Sequence, residues 1–129
     1  MAGLNALTEE KFLLVNQYIG LLDIIDEAFS HILVSLEKNN REDAEQLWED
    51  VTMAFMQIHE SNKILAEHFS DQPGVIQQFS QFDLVLEKAH LVQFTDDRFL
   101  EILMREKVYP SFLGWSGQIT QQFRPCYIN

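Results

Sequence analysis

Cysteine, glycine and proline are all scarce in this sequence of 129 residues. The single cysteine, Cys126, cannot form a disulfide within the chain. That is typical of proteins kept in a reducing compartment, so we expect a cytoplasmic protein. Five glycines and three prolines leave long uninterrupted stretches, which favour helices over the turn-rich pattern of a β-sandwich or β-barrel.

Basic residues are scarce as well. Nine Lys and Arg stand against 20 Asp and Glu, giving a formal net charge of −11 and a sequence pI near 4.6. Such a surface repels phosphate backbones and anionic lipid, so we expect neither nucleic acid nor a membrane surface as a partner. Residues 1–69 carry 13 acidic and four basic side chains. This acidic half suits a basic partner, although acidic charge also simply keeps a protein soluble.

Long hydrophobic runs are also missing. The most apolar stretch, residues 12–29, is interrupted by Asn16, Gln17, Asp23 and Asp26, so it is not predicted to span a membrane. Residues 1–5 lack the basic start and apolar core of a signal peptide, and we expect none.

What the sequence does contain is helical periodicity. Apolar spacing and capping residues predict four helices, over residues 8–37, 41–69, 73–94 and from 95 onwards. Thr8 is predicted as the N-cap of the first, Pro73 lies in the first turn of the third, and residues 95–97 are predicted to cap the fourth. Pro110 should break or kink the fourth helix, because a proline inside a helix removes a backbone hydrogen bond and clashes. Short connections predict one all-α domain, residues 1–129, folded as an up-down-up-down four-helix bundle.

Two stripes with steps of three and four residues are predicted to face the core. In the first helix the stripe consists of Phe12, Val15, Ile19, Leu22, Asp26, Phe29, Leu33 and Leu36. Four further residues widen this face: Tyr18, Leu21, Ile25 and Ile32. In the second, the stripe consists of Ala44, Trp48, Val51, Phe55, Ile58, Asn62, Leu65 and Phe69.

The C-terminal third is rich in aromatic residues around Pro110, Gly114 and Gly117. We expect a broken helix there, packed across the end of the bundle with its aromatic side chains buried. The alternative is an aromatic-lined groove for a peptide helix.

Apolar residues also occur on faces that a surface helix normally keeps polar. They follow a second stripe on the first helix and the outer face of the second. Clustered exposed apolar side chains mark interfaces, so we predict partner binding, most simply in a two-fold dimer. The predicted partner-binding residues are Leu13, Ile24, Val34, Met53, Met56 and Ile64.

One metal-binding hypothesis remains open beside this interpretation. Glu87 and His90 form a Glu-x-x-His step, and two such steps with two further glutamates build the di-metal site of ferritin-like bundles. The second Glu-x-x-His step is missing, so we keep a metal or enzyme site only as the alternative to partner binding. Its residues would be Asp83, Glu87 and His90, together with Asp26 or Glu106. We favour a buried or half-buried His90 bonded to a neighbouring carboxylate, and we expect no cofactor.

No phosphate-binding loop or nucleophile motif is present: residues 114–117 are not a Gly-x-Ser-x-Gly elbow, and Cys126 has no neighbouring base. In size, acidity and helical content the chain resembles small bacterial secretion and flagellar export chaperones, a resemblance that carries no site residues. The sequence therefore predicts a non-catalytic helical bundle acting through protein partners, as an adaptor or chaperone-like protein that dimerises or binds an amphipathic helix. The alternative is a metal-binding bundle or an enzyme that uses interior acids and histidine.

Overall fold

The computed structural model describes the backbone of residues 2–94 and 97–127 and the side chains of residues 9–94 and 98–125. Its helices are α1 (Ala2–Glu37), α2 (Arg41–His68), α3 (Pro73–Ala89), α4 (Asp97–Leu103), a π-helical turn (Met104–Val108) and α5 (Tyr109–Tyr127). The last three follow one another without a break and form one kinked fourth helix. The predicted all-α, up-down-up-down four-helix bundle is confirmed.

The start of α1 differs from the prediction. The helix begins at Ala2 and already runs through Thr8, so the prediction of Thr8 as N-cap is wrong. Ala6 and Leu7, directly before Thr8, are strong helix formers, and no proline forces a later start. At the other end, Asn39 has a φ of 58°, which asparagine tolerates better than most residues, and it terminates α1. The Asn40 side chain then accepts the amide of Asp43 and caps α2.

The end of α3 also comes earlier than predicted, at Ala89 instead of residue 94. The amides of Leu91 and Val92 bond to the carbonyls three residues before them, which tightens the chain out of the α-helix. Thr95 and Asp96 of the predicted cap lie outside the described residues.

The kink in the fourth helix is a π-helical turn directly before Pro110. The amide of Tyr109 bonds to the carbonyl of Met104, five residues back, and Pro110 has no amide hydrogen to continue the pattern. Beyond it, α5 stays helical through Gly114 and Gly117 and packs lengthwise on α1 and α3. The predicted kink near Pro110 is therefore confirmed, whereas the predicted packing of this segment across the bundle end is wrong.

Three aromatic side chains of α5 belong to the core. Phe112, Trp115 and Phe123 are buried, and Trp115 donates its indole N–H to the carbonyl of Gln78 at 2.8 Å. These rings are thus core and not a groove, whereas the side chains of Cys126 and Tyr127 lie outside the described residues.

The α2 stripe is buried as predicted, but the buried face of α1 is turned away from the predicted stripe. Phe12, expected in the core, is 43% exposed, whereas Tyr18, Ile25 and Ile32, expected only to widen the face, are at its centre. Tyr18 meets the ring of Phe123 edge-on, with the ring centroids 5.3 Å apart. In the part of the chain that the structure describes, no helix is long and apolar enough to cross a membrane.

Candidate functional site

A groove of about 680 Å³ runs along the outer surface between α1 and α2. We call it the α1/α2 groove; its lining residues are Leu14, Gln17, Tyr18, Gly20, Leu21, Ile24, Met56, Gln57, Glu60, Ser61, Ile64 and Leu65. The lining spans eleven residues of α1, which is about 16 Å of helix, or three turns. Most of the lining is apolar, and glutamine, serine and glutamate supply its polar part.

The base of the groove is held by a buried hydrogen bond between the two helices. The Tyr18 hydroxyl donates to Asn62 Oδ1 at 2.6 Å. Burial raises the pKa of the Tyr18 hydroxyl far above its ordinary value, and the bond to Asn62 opposes this rise only in part. Tyr18 therefore stays protonated as a donor, which fixes the register of α1 against α2 at this level.

Gly20 lines the groove without a side chain of its own. A Cβ atom built at this glycine meets nothing within 4 Å, so the space above it is open. Ile24 stands one turn further along α1, and Met56 and Ile64 face the gap from α2. A side chain at position 20 would occupy space that a ligand can now enter.

The six predicted partner-binding residues are all exposed, at 45% to 69% of their accessible surface. Ile24, Met56 and Ile64 line the groove together. Leu13, Val34 and Met53 are exposed on the same two helices but do not line it. Sequence reasoning missed Gly20, whose role depends on an empty space that a hydrophobicity pattern does not register.

One carboxylate lines the groove, and others lie further along the same helices. Glu60 lines it, and the Lys63 ammonium lies 3.2 Å from that carboxylate. Further along α1, Glu27 lies 3.9 Å from His31, and both are exposed. The surface around the groove therefore combines open apolar area with negative charge.

A smaller cleft of about 320 Å³ lies between α2 and α3 and includes the predicted metal-site histidine. His90 is exposed and caps α3 through its backbone amide, which bonds to the carbonyl of Leu86, so the prediction of a buried or half-buried histidine is wrong. Asp83 and Glu87 are exposed too. Among the described side chains, no three His, Cys, Asp or Glu come together to hold a metal ion.

The two other acids of that hypothesis are separated from His90. Asp26 is half-buried between α1 and α5, where its carboxylate accepts the Tyr109 hydroxyl, and Glu106 is exposed on the π-helical turn. Glu106 was expected to face the interior. The π-helical turn changes the phase of the fourth helix, so the α-helical spacing used for that expectation does not apply there.

Comparison with known proteins adds one relationship. No curated protein and no solved structure matches the chain. A family model does match, over residues 14–118, a range that includes every residue lining the α1/α2 groove. The chain therefore belongs to the family described as "Domain of unknown function (DUF8042)".

Proposed function

We propose that this protein is a non-catalytic helical bundle that binds another protein in the α1/α2 groove, as an adaptor or chaperone-like protein. One observation carries the proposal: Ile24, Met56 and Ile64 are exposed around an open groove of about 680 Å³. Contiguous apolar surface open to water marks an interaction site, whereas isolated surface hydrophobes do not. Methionine suits such a surface because its flexible thioether adapts to different side chains.

The shape of the groove favours a helical ligand. Two antiparallel helices leave a furrow between them into which the ridge of a third helix packs, and about three turns of helix fit its length. We expect the complex to form in the cytoplasm, in keeping with a chain that has one cysteine. A second copy of this chain is the other protein that could fill the groove and would make a homodimer.

A capture experiment from lysate of the native host tests the proposal. The baits are the wild-type protein, the groove variants Met56→Glu and Ile24→Glu, and the matched control Leu113→Glu, which adds the same charge at an exposed leucine of α5. We expect a partner, or a second copy, that the wild type and the control retain and both groove variants lose. Circular dichroism should show the same helix content in all four proteins.

Retention by the groove variants would contradict the proposal. So would loss of helix content in Met56→Glu and Ile24→Glu, because these side chains would then belong to the core. Sedimentation of the purified protein distinguishes a homodimer from a complex with a different protein.

A further inference from the structure

We infer that the α1/α2 groove takes a cationic amphipathic helix, one whose apolar stripe is flanked by lysine or arginine. The inference rests on the proposed function and adds the chemistry of the partner. It is carried by the distribution of charge around the groove and by the three turns of helix that the groove accommodates.

Basic side chains are scarce on the two helices that form the groove. Together α1 and α2 contain three, Lys11, Arg41 and Lys63, against thirteen Asp and Glu. Lys11 and Arg41 do not line the groove, and Lys63 lies 3.2 Å from Glu60, the acidic residue among the lining. The other acids lie beyond the lining on the same two helices, where they outnumber the basic side chains.

Helical spacing places several of these acids beside the apolar side chains. On α2, Glu49, Met53, Met56, Glu60, Ile64 and Glu67 follow one another in steps of three and four residues, so they share one face. On α1, Glu27 follows Gly20 and Ile24 on the same stripe. The carboxylates thus flank the apolar groove, and a helix lying in it would have its own flanking positions next to negative charge.

The same charge distribution disfavours a second copy as the ligand. A two-fold contact through this face would bring the acidic stripes of two chains, each with a net charge of −11, against one another. Like charges facing each other across an interface cost binding free energy, whereas opposite charges raise the association rate and select the partner. A cationic helix satisfies the apolar and the electrostatic requirement together.

Three designed helical peptides of about five turns test the inference by fluorescence anisotropy against the full chain. The first has an apolar stripe flanked by lysines, the second has the same stripe flanked by glutamates, and the third has the lysines of the first with the stripe scrambled. We expect the first to bind at least about tenfold more tightly than either of the others, with an advantage over the glutamate peptide that shrinks in high salt.

Two pairs of variants locate the binding. Gly20→Gln fills the groove without changing charge, and Gly117→Gln is its control on the exposed side of α5, where an added side chain also meets nothing within 4 Å. Glu60→Gln/Glu67→Gln removes two carboxylates of the groove face, and Asp83→Asn/Glu87→Gln removes two exposed ones on α3. We expect each groove variant to weaken the lysine peptide at least severalfold and each control to leave it unchanged.

The outcomes separate the two proposals. Equal binding of the lysine and glutamate peptides, both weakened by Gly20→Gln, would overturn the cationic partner and leave the groove as a binding site. Failure of all three peptides to bind would overturn the cationic helix as the ligand, whereas the proposed function would still be decided by the capture experiment. Equal binding of the scrambled peptide, unaffected by Gly20→Gln, would show charge attraction alone and overturn the inference.

Discussion

The hydrogen bond between Tyr18 and Asn62 is the polar contact on which the packing of α1 against α2 most depends. Both residues are buried, and the bond joins the two helices that form the groove. A buried polar group that loses its partner costs more free energy than the bond itself contributes, because it is left without water as well. The pair therefore opposes any other register of α1 on α2, in which both groups would be unpartnered.

Removal of one member should cost more than removal of both. We expect Tyr18→Phe, which leaves the Asn62 amide unpartnered, to lower the free energy of unfolding by about 1–3 kcal/mol. Tyr18→Phe/Asn62→Leu should be more stable than the sum of the two single changes predicts. Urea unfolding of the four proteins measures the coupling, and strict additivity would show that the hydrogen bond contributes nothing.

The buried tyrosines also predict a loss of stability in alkali. Burial raises the pKa of Tyr18. The pKa of Tyr109 is raised mainly by its partial burial and also by the neighbouring Asp26 carboxylate. In the unfolded chain both titrate near the ordinary value of about 10. Above that pH the unfolded state loses protons that the folded state keeps, so this stabilisation is complete below pH about 10 and is lost as the pH rises.

Chemical denaturation across the alkaline range measures this effect. The denaturant concentration at the midpoint should fall as the pH rises above about 10. This fall should be less steep in Tyr18→Phe than in the wild type. In Tyr109→Phe the slope should differ less from that of the wild type, because Tyr109 is more exposed than Tyr18. Identical slopes in all three proteins would place the alkaline transition elsewhere, for example in lysine deprotonation.

At the scale of the helices, the sequence predicts α2 best and α1 less well. In α2, the predicted start at residue 41 and the predicted eight-residue stripe are both found. In α1, two stripes share Val15, Leu22, Phe29 and Leu36 and differ in the residues between them. The stripe that is buried in the structure also contains Tyr18, Ile25 and Ile32. The stripe that the sequence predicted contains Phe12, Ile19, Asp26 and Leu33 instead. The partner helices decide between them, which periodicity within one helix cannot do.

The candidate site, too, could be predicted only in part from the sequence. Ile24, Met56 and Ile64 could be predicted because each breaks the polar pattern of its own helix. Their meeting in one groove depends on the register between α1 and α2 and on the missing side chain of Gly20, which are tertiary properties. The His90 prediction was wrong because the buried face of α3 runs through Phe82, Val85 and Ala89, which leaves His90 to one side of it.

The glycines within the helices offer a test at this scale. Glycine is about 1 kcal/mol less favourable than alanine inside a helix. An added Cβ meets nothing within 4 Å at Gly114 and Gly117, whereas at Gly74 it would lie 2.9 Å from Gln122 Oε1. We expect Gly114→Ala and Gly117→Ala each to raise the free energy of unfolding by up to about 1 kcal/mol, and Gly74→Ala to raise it less.

Urea denaturation of the three variants measures these changes. A loss of stability in Gly117→Ala would mean that the exposed side of α5 contacts something, such as a second protomer.

At the scale of the whole molecule, repulsion between like charges outweighs the surface ion pairs. Arg105 binds Glu37 at 2.7 Å and Glu101 at 3.2 Å, and these contacts raise the pKa of its guanidinium. Exposed pairs of this kind contribute little to stability, because water screens them. They stand against a net charge of −11, which destabilises the compact state through self-repulsion.

Salt should therefore stabilise the fold. We expect the thermal midpoint to rise as sodium chloride is added, with most of the rise at low concentration, where the Debye length falls through about 10 Å. A scan of thermal unfolding against salt measures it, with Glu49→Gln/Asp50→Asn, which is less acidic, as the comparison that should respond less. A midpoint that falls with salt would show that the ion pairs of Arg105 outweigh the repulsion.

The π-helical turn has a consequence for the length of the chain. Each backbone bond in it encloses one residue more than an α-helical bond, so Met104–Val108 holds a residue that an uninterrupted α-helix would not need. Deletion of the exposed Glu106 should convert the turn to α-helix and leave Phe112 and Trp115 on the buried face.

Deletion of the exposed Gln57 in α2 would instead rotate the following half of that helix by about 100° and should unfold the protein. Circular dichroism and thermal unfolding of the two deletions compare them, and we expect natural relatives to differ in length by one residue at residues 104–108 more readily than anywhere else within a helix.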